Sequence, residues 1–267
     1  MRDFEAAKEL FADKLNPHLY FDSMSAEIAR NKILESIHNK VSPLIFIIGD
    51  PGVGKSYILR YIHNHINMNQ VSILIDHPFF DKRDLLKMLY DAIDLTFDKD
   101  INFNELKDTI VTAYKDKNHT IFIDEAQLLN EEQFELIRIL SDTKAFQFVL
   151  SMHKEEGEAI LEKKHFKSRT KVVINYGNLS KDEINRYIQS TFFEHSHGDI
   201  ANLFLPKHIK KIATLTKGNF RTVKKYIFTL LRLLDYAKKN GLQKHQQINE
   251  TLLIMSALDI GLLHDKR

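Results

Sequence analysis

The sequence predicts an α/β fold, a five-stranded parallel sheet with helices on both faces, followed by a smaller all-helical unit. Short apolar, β-branched runs alternate with stretches of helical periodicity up to Tyr176, and this alternation is typical of parallel sheets. Past Gly177 only the helical periodicity continues. We therefore expect an α/β domain over residues 1–176, with a helical lead-in over residues 1–40, and a helical lid domain over residues 177–267.

Each predicted strand is a short apolar run, and each predicted helix repeats apolar residues every three to four positions. The strands are predicted at 44–48, 71–76, 120–123, 145–152 and 171–176. The helices are predicted at 4–14, 25–38, 56–62, 81–97, 104–116, 130–141, 155–164, 180–195, 206–216, 221–240 and 249–263. Capping sequences support two of these starts, because Asp81 precedes one helix and Ser180 forms a capping box with Glu183.

The composition is that of an ordinary globular chain of 267 residues, with 43% hydrophobic and 28% charged content. Cysteine is absent, which excludes disulfides and thiolate metal sites and suits a reducing compartment. The N-terminal residues lack the apolar core of a signal peptide, and the longest strongly apolar runs are about six residues, too short for a bilayer. We expect a cytoplasmic protein with no membrane-spanning segment.

A glycine-rich turn lies between the first predicted strand and the helix that follows it. It matches the phosphate-binding pattern G-x-x-x-x-G-K-[ST] in the strand–loop–helix context that this pattern requires. Its glycines free the backbone to turn N–H groups toward phosphate oxygens, a lysine faces the β- and γ-phosphates, and a serine hydroxyl can bind Mg²⁺. The predicted nucleotide-binding residues are Gly49, Asp50, Pro51, Gly52, Val53, Gly54, Lys55, Ser56 and Tyr57.

Two acidic residues follow the third predicted strand. Asp124 and Glu125 come directly after the run 120–123, at the strand end where parallel sheets bind ligands. Asp124 can hold Mg²⁺, and Glu125 can orient and deprotonate an attacking water. The alternative is that the pair only caps the helix at 130–141, but the phosphate-binding pattern earlier in the chain favours the catalytic interpretation.

The fourth predicted strand ends in polar residues. Ser151 and His153 are the candidates for contact with the γ-phosphate or the attacking water. The simpler interpretation of His153 is a histidine in a loop.

Taken together, these segments resemble the AAA+ ATPases. The resemblance rests on the phosphate-binding pattern, the string 123–127, Arg169 before the fifth strand and the string 218–221, and it covers roughly residues 15–240. It is strongest to the general secretion pathway protein A group, the ExeA-like ATPases, which in turn resemble the TniB transposition helpers and the origin-recognition ATPases. The family implies an ATP hydrolase with ATP and Mg²⁺ as cofactors.

The family also implies roles for two arginines. Arg169 lies where the family has an arginine finger, which acts on the nucleotide of a neighbouring subunit and therefore implies self-association; the alternative is a surface arginine in a basic stretch. Arg221 lies where the family has its second sensor, which reaches the γ-phosphate from the lid. Two features depart from the secretion-type pattern: Met152 and His153 replace its usual Gly-Gln pair, and we expect neither its membrane segment nor its peptidoglycan-binding domain in these 267 residues.

Charge is divided unevenly along the chain. The formal net charge is +2, made up of −5 over residues 1–176 and +7 over residues 177–267. The family resemblance leaves three functions open: an ATPase that assembles or remodels a protein partner, a DNA-acting helper, or an ATP-dependent switch with little hydrolysis. A DNA-binding surface would use the lysines of the rear segment, which are otherwise an ordinary solvated face: Lys210, Lys211, Lys217, Lys224, Lys225, Lys238 and Lys239. The near-neutral whole-chain charge favours the protein partner.

Overall fold

The structure is a computed structural model that describes most of the chain. The described residues are 2–14, 20–66, 71–77, 79, 81–94, 101–115, 119–167 and 170–263. They form two compact units. One, the α/β unit, comprises residues 26–51 and 55–176; the other, the helical unit, comprises residues 1–25, 52–54 and 177–267.

A parallel sheet of five strands is the centre of the α/β unit, as predicted. The strands are β1 (Leu44–Gly49), β2 (Val71–Ile75), β3 (His119–Ile123), β4 (Phe146–His153) and β5 (Val172–Asn175). Their order is β2-β3-β4-β1-β5, and every pairing is parallel. All residues of β1 and β3 are buried, as expected for strands covered on both faces.

The predicted helices form in the predicted order with bounds that differ by a few residues, α3 is longer than predicted, and α8 and α10 were not predicted as separate helices. They are α1 (Phe4–Glu9), α2 (Met24–His38), α3 (Lys55–His65), α4 (Lys82–Asp91), α5 (Phe103–Tyr114), α6 (Glu131–Asp142), α7 (Lys154–Glu162), α8 (Lys164–Lys167), α9 (Lys181–Glu194), α10 (Gly198–Ala201), α11 (Pro206–Thr216), α12 (Phe220–Lys239) and α13 (Glu250–Asp259). The predicted helix at 4–14 ends early at Glu9, after which the chain continues in turns to Lys14. The helix predicted at 81–97 ends at Asp91, and residues 95–97 lie outside the described residues.

Helix starts in the α/β unit are fixed by side chains that satisfy the first backbone N–H groups. Asp81 and Asp84 form a capping box at α4, and Asn130 with Gln133 forms another at α6. Such a cap contributes about 1 kcal/mol. The cap at α6 also fixes where the turn after β3 must end, and this turn carries the acidic residues.

The helical unit is held together by an aromatic cluster that includes the N-terminal residues. The ring of Phe11 lies 5.7 Å from that of Tyr187 and 5.1 Å from that of Phe192, and Phe4 is also buried. This packing explains why residues 1–25 group with the helical unit, whereas the sequence placed them with the α/β domain. The Ser180–Glu183 capping box starts α9 as predicted.

Gly218 joins α11 to α12 in a turn that excludes any side chain. Its φ is +74°, and a Cβ atom there would lie 2.0 Å from the carbonyl oxygen of Leu179. The carbonyl oxygen of Gly218 accepts a hydrogen bond from the backbone N–H of Leu179 at 2.8 Å. Glycine is therefore required by both the left-handed backbone and the close approach of a neighbouring chain segment.

Candidate active site

The phosphate-binding pattern forms the connection from β1 to α3. Gly52 and Gly54 have φ values of +81° and +110°, which residues with a side chain rarely adopt. Gly49 does not share this role: it is the last residue of β1 and pairs with His153 of β4. The expectation that all three glycines supply unusual backbone geometry is therefore right for two of them. Around them, Asp50 and Pro51 are exposed, Val53 is buried, and Ser56 and Tyr57 are half-buried in the first turn of α3.

Lys55 turns its side chain back over the connection. It is only 4% exposed, and its Nζ donates to the carbonyl oxygens of Gly49 at 2.8 Å and Asp50 at 3.0 Å. Buried ammonium groups need such acceptors because desolvation of a charge is costly. The two carbonyls hold the charge at the N-terminal end of α3, where backbone N–H groups also favour anions.

Asp124 follows β3 and is fixed by contacts from β4. Its Oδ1 accepts hydrogen bonds from the hydroxyl of Ser151 and, at 3.0 Å, from the backbone N–H of Glu125. Ser151 is fully buried and stands opposite Ile47 in the pairing of β4 with β1. These bonds orient the carboxylate from one oxygen and direct Oδ2 away from Ser151.

Glu125 lies in a network with Gln127 and His153. Its backbone has φ +51°, a left-handed conformation that is uncommon outside glycine. Its Oε2 accepts a hydrogen bond from Nε2 of Gln127 and lies 3.2 Å from Nε2 of His153. Glu125 is 41% exposed and His153 28% exposed, so the network stands at the surface of the sheet edge and is open to a ligand.

The sequence alone did not distinguish Ser151 from His153, and the structure gives each a different neighbour. The hydroxyl of Ser151 contacts the carboxylate of Asp124, whereas the imidazole of His153 contacts the carboxylate of Glu125. The simpler interpretation of His153 as a histidine in a loop is wrong, since it is the last residue of β4. Gln127 was not among the predicted site residues. Its position in the sequence, two residues after the predicted base Glu125, could have indicated that it belongs to the site.

The oxygen atoms of this edge suit Mg²⁺. Asp124 and Ser56 supply a carboxylate and a hydroxyl, the hard donors that Mg²⁺ prefers, and Mg²⁺ bound to nucleotides usually takes most of its ligands from water and phosphate. Among the described residues, no cluster of three or more metal-binding side chains forms a cage of its own. The residues therefore fit a metal that arrives with a nucleotide.

A further acid, Asp76, follows β2, but its negative charge is already balanced by neighbouring side chains. Its carboxylate accepts hydrogen bonds from His77 at 2.9 Å and from Arg60 of α3. The hydrogen bond from His77, followed by the charge and hydrogen bond of Arg60, lowers the pKa of Asp76 below its usual value. Asp76 is therefore held as an anion that ties β2 to α3, which explains it without a role in catalysis.

Arg221 lies in the first turn of α12, in the helical unit. Its backbone N–H donates to the carbonyl oxygen of Gly52 at 2.9 Å, and its Nε lies 3.7 Å from Oδ1 of Asp13. A Cβ atom on Gly52 would lie 2.9 Å from Oδ1 of Asn219. The position of Gly52 is thus shaped by the start of α12 as well as by its own φ. Arg169 lies outside the described residues.

The lysines predicted as a basic surface are mostly engaged within the helical unit. Lys224 is buried at 3% exposure, and its Nζ donates to the carbonyl oxygen of Lys14 at 3.3 Å. The expectation that Lys224 belongs to a basic surface is therefore wrong, because α12 turns this position inward. Lys210 and Lys217 are exposed. The remaining four lysines contact acidic side chains or a carbonyl oxygen: Lys211 with Glu250, Lys225 with Asp13, Lys238 with Arg2 and Lys239 with Asp235.

Comparison with known proteins agrees with this site. Residues 38–161 match the family model of an AAA domain. The matched stretch runs from the end of α2 into α7 and includes both the phosphate-binding connection and the acidic residues after β3. The match and the P-loop fold around it indicate nucleotide binding and ATP hydrolase activity.

The chain is also similar to several named proteins. General secretion pathway protein A of Aeromonas hydrophila is 24% identical over 186 residues, which are 65% of this chain and 34% of that protein. The chain thus spans about a third of that relative's length. The Walker-type ATPase of Pyrococcus abyssi superimposes with a TM-score of 0.62 at 18% identity, covering 89% of this chain and 78% of that one.

A second solved structure extends the same likeness. The Cdc6 protein of Pyrobaculum aerophilum superimposes with a TM-score of 0.63 at 15% identity, covering 88% of this chain and 66% of that one. These superpositions show the fold of the P-loop AAA+ ATPases, as the sequence predicted. Across the part of the chain that the structure describes, no helix combines the length and the apolar character needed to cross a lipid bilayer.

Proposed function

We propose that this protein is an Mg²⁺-dependent ATPase whose hydrolytic cycle drives the assembly or remodelling of a protein partner. The observation that carries the catalytic part is the arrangement at the carboxyl edge of the sheet. Lys55 is held at the start of α3, Asp124 is oriented by Ser151, and Glu125 stands beside His153, whose backbone pairs with Gly49. A cation, a metal-binding carboxylate and a base are the parts that phosphoryl transfer to water needs.

Each residue then has a defined task in the hydrolysis of ATP to ADP and phosphate. Lys55 offsets negative charge on the β- and γ-phosphates, while Ser56 and Asp124 hold the metal through their oxygens. Bound Mg²⁺ neutralises charge that develops on the phosphate oxygens. Glu125 accepts a proton from the water that attacks the γ-phosphorus, and the bond from that phosphorus to the β,γ-bridging oxygen breaks as the new bond forms. No covalent intermediate with the protein is required.

Two arginines complete the proposed cycle. Arg221 reaches the γ-phosphate from the helical unit of the same chain, and its ion pair with Asp13, with both side chains about half-exposed, is weak enough to exchange. Arg169 acts as the finger that one subunit supplies to the nucleotide of the next. ATP binding should therefore promote self-association.

The protein partner is the favoured target of the cycle. One relative, 24% identical over 186 residues, is general secretion pathway protein A. The structure adds a physical argument, since most of the lysines that would form a DNA-binding face are engaged in contacts within the helical unit. Lysines that already pair with carboxylates release fewer counterions when DNA binds, so they contribute less to affinity.

The DNA-acting alternative rests on the net charge of +7 over residues 177–267 and on the exposed Lys210 and Lys217. It is tested by the anisotropy of a labelled DNA duplex at two salt concentrations, with and without a slowly hydrolysed ATP analogue. The protein-partner proposal predicts no ATP-dependent binding. Binding near micromolar that needs ATP, weakens with salt and is lost in Lys210→Glu/Lys217→Glu but not in Lys32→Glu, an exposed lysine of α2, would replace it with the DNA-acting function.

Self-association is tested separately by sedimentation velocity. Glu125→Gln should keep ATP bound, so this variant should sediment as a larger species with ATP than without nucleotide. Arg169→Ala should reduce turnover while ATP still binds. A wild-type chain that hydrolyses ATP rapidly, yet sediments as a monomer with ATP at high protein concentration, would contradict the finger assignment.

A further inference from the structure

Glu125, Gln127 and His153 form a closed hydrogen-bonded set that reaches from the turn after β3 to the end of β4. Gln127 donates from Nε2 to Oε2 of Glu125, and Oε1 of Gln127 accepts from the backbone N–H of His153 at 3.3 Å. His153 returns to the carboxylate, with Nε2 at 3.2 Å from Oε2 of Glu125. The network therefore links the base to itself through the amide of Gln127 and the last residue of β4.

The network defines the orientation of the Gln127 amide. A backbone N–H can only donate, so the atom of Gln127 that faces the N–H of His153 must be the carbonyl oxygen. The NH₂ group then faces Glu125, as the carboxylate requires. An amide is the side chain that can accept on one side and donate on the other, whereas a carboxylate in its place would meet Glu125 with a like charge.

The same reasoning assigns the tautomer of His153. Nε2 faces a carboxylate and must carry a proton, while Nδ1 lies 3.4 Å from Nε2 of Gln127. The neutral ring protonated at Nε2 satisfies both neighbours, because Nδ1 then accepts from the second N–H of the amide.

Both donors reach the same oxygen of Glu125. Gln127 and His153 contact Oε2, which leaves Oε1 directed away from them. The backbone N–H of Glu125 also donates to Oδ1 of Asp124 at 3.0 Å and to Oγ of Ser151 at 3.3 Å. Glu125 is therefore held both through its backbone N–H and through one oxygen of its carboxylate.

Gln127 and His153 hold the Glu125 carboxylate on one particular side of the sheet edge. β4 lies between β3 and β1 in the sheet, and His153 pairs with Gly49, where the phosphate-binding connection begins. The set thus draws the carboxylate toward the phosphate side of the edge and away from β2, which lies on the other side of β3. A side chain fixed in this direction is oriented for reaction before the nucleotide binds.

We infer that Gln127 and His153 are positioning residues that hold the Glu125 carboxylate by Oε2, so that Oε1 is presented to the attacking water. This inference rests on the proposed role of Glu125 as the base. Loss of the amide donor or of the imidazole leaves the carboxylate free to rotate, which lowers the fraction of enzyme ready for reaction. Neither residue contacts the nucleotide in this role, so ATP binding is unaffected.

The decisive variant is Gln127→Glu, which is nearly isosteric. It keeps an acceptor for the backbone N–H of His153 and replaces only the NH₂ group, which donates to Glu125 and to Nδ1 of His153. We expect kcat to fall about 10- to 100-fold, the usual effect of losing an orienting partner at a catalytic group, while the Kd for ATP stays within about threefold of wild type. His153→Ala should have a similar effect, and His153→Gln, which restores an amide donor, should recover most of the activity.

Leu128→Ala is the matched control, since the Leu128 side chain lies in the same turn at 60% exposure. Leu128 contacts Glu125 through its backbone N–H, which donates to the carbonyl oxygen of Glu125 at 3.0 Å and is kept in the variant. Its kcat should equal that of wild type. Unchanged kcat in both Gln127→Glu and His153→Ala, or kcat above wild type, would overturn the inference. Glu125→Gln is measured alongside: if it hydrolyses ATP at the wild-type rate, the base assignment itself fails. If it is slow while the other variants are not, only the positioning role fails.

Discussion

The edge of the sheet and the lysine-rich helices differ in how their charged residues are used. At the sheet edge, Lys55 follows β1 and the acids Asp124 and Glu125 follow β3, so residues about 70 positions apart in sequence lie at the same carboxyl edge. In the helical unit, lysines that are close in sequence, such as Lys224 and Lys225, have different surroundings. Lys224 is buried against the carbonyl of Lys14, whereas Lys225 pairs with Asp13 at the surface.

The difference follows from the geometry of the two architectures. In a parallel sheet, a residue just after a strand is placed at the carboxyl edge with its neighbours, so position relative to the strand end determines function. On a helix, adjacent residues point about 100° apart, and packing of the other faces decides which of them meets water. Position relative to a strand end therefore predicted the placement of the sheet-edge residues, whereas the charge count of the helical segment did not predict which lysines are exposed.

The largest effect on ATP affinity expected at the sheet edge is that of Lys55→Ala. Removing the ammonium takes away a charge-assisted contact to the phosphates, each worth about 1.5–3 kcal/mol, so the Kd for ATP should rise roughly 10- to 100-fold or more. Isothermal titration with a slowly hydrolysed analogue measures it, with Lys32→Ala as a control on exposed α2. ATP affinity equal to wild type in Lys55→Ala would remove the phosphate assignment.

Ser151→Ala tests whether Ser151 orients the proposed metal-binding carboxylate of Asp124. The variant removes the hydroxyl that donates to Oδ1 of Asp124, and loss of such a partner typically weakens a metal site about 10- to 100-fold. The Mg²⁺ concentration for half-maximal ATP turnover should therefore rise about tenfold, with kcat recovered at high Mg²⁺. An unchanged Mg²⁺ dependence would mean that Ser151 serves only the packing of β4.

In the helical unit, Lys224→Glu and Lys210→Glu sharpen the comparison between a buried and an exposed lysine. Lys224→Glu removes the donor to the carbonyl of Lys14 and should lower the free energy of unfolding by about 1–3 kcal/mol. Lys210→Glu, at an exposed position of α11, should change it by less than about 0.5 kcal/mol. Urea denaturation measures both, and equal midpoints for the two variants would contradict the buried placement of Lys224.

The smallest expected effect concerns His208 of α11, which is 5% exposed. Burial lowers the pKa of His208 from its usual value near 6.5. The unfolded chain therefore binds more protons as pH falls below about 6.5, and stability should decrease through that range until the pH passes the folded pKa. In urea denaturation at pH 7.5 and 5.5, His208→Asn should lose less stability than wild type; an identical loss would show that His208 titrates normally in the folded state.

Much of the fold and part of the site could be predicted from the sequence because both depend on local patterns. The alternation of strands and helices, the glycine connection and the Ser180 capping box need only nearby residues. Asp124 and Glu125 were predicted because they directly follow a buried strand.

The residues that the sequence did not resolve depend on contacts between strands. Gln127 becomes part of the site only because the turn after β3 brings it to the backbone of His153. The separate roles of Ser151 and His153 follow from the register of β4 against β1. The placement of residues 1–25 depends on the burial of Phe4 and Phe11 among aromatic rings of distant helices, which no local pattern specifies.

Glu125→Gln provides the most direct measurement of the catalytic account. Hydrolysis of ATP is followed in a single turnover, with the enzyme concentration above both the ATP concentration and the Kd for ATP. ATP affinity is measured separately for the same variant. We predict ATP binding like that of wild type and a hydrolysis rate about 10²- to 10⁴-fold lower, the usual effect of losing a general base. A Glu125→Gln variant that hydrolyses bound ATP at the wild-type rate would contradict the assignment of Glu125 as the base.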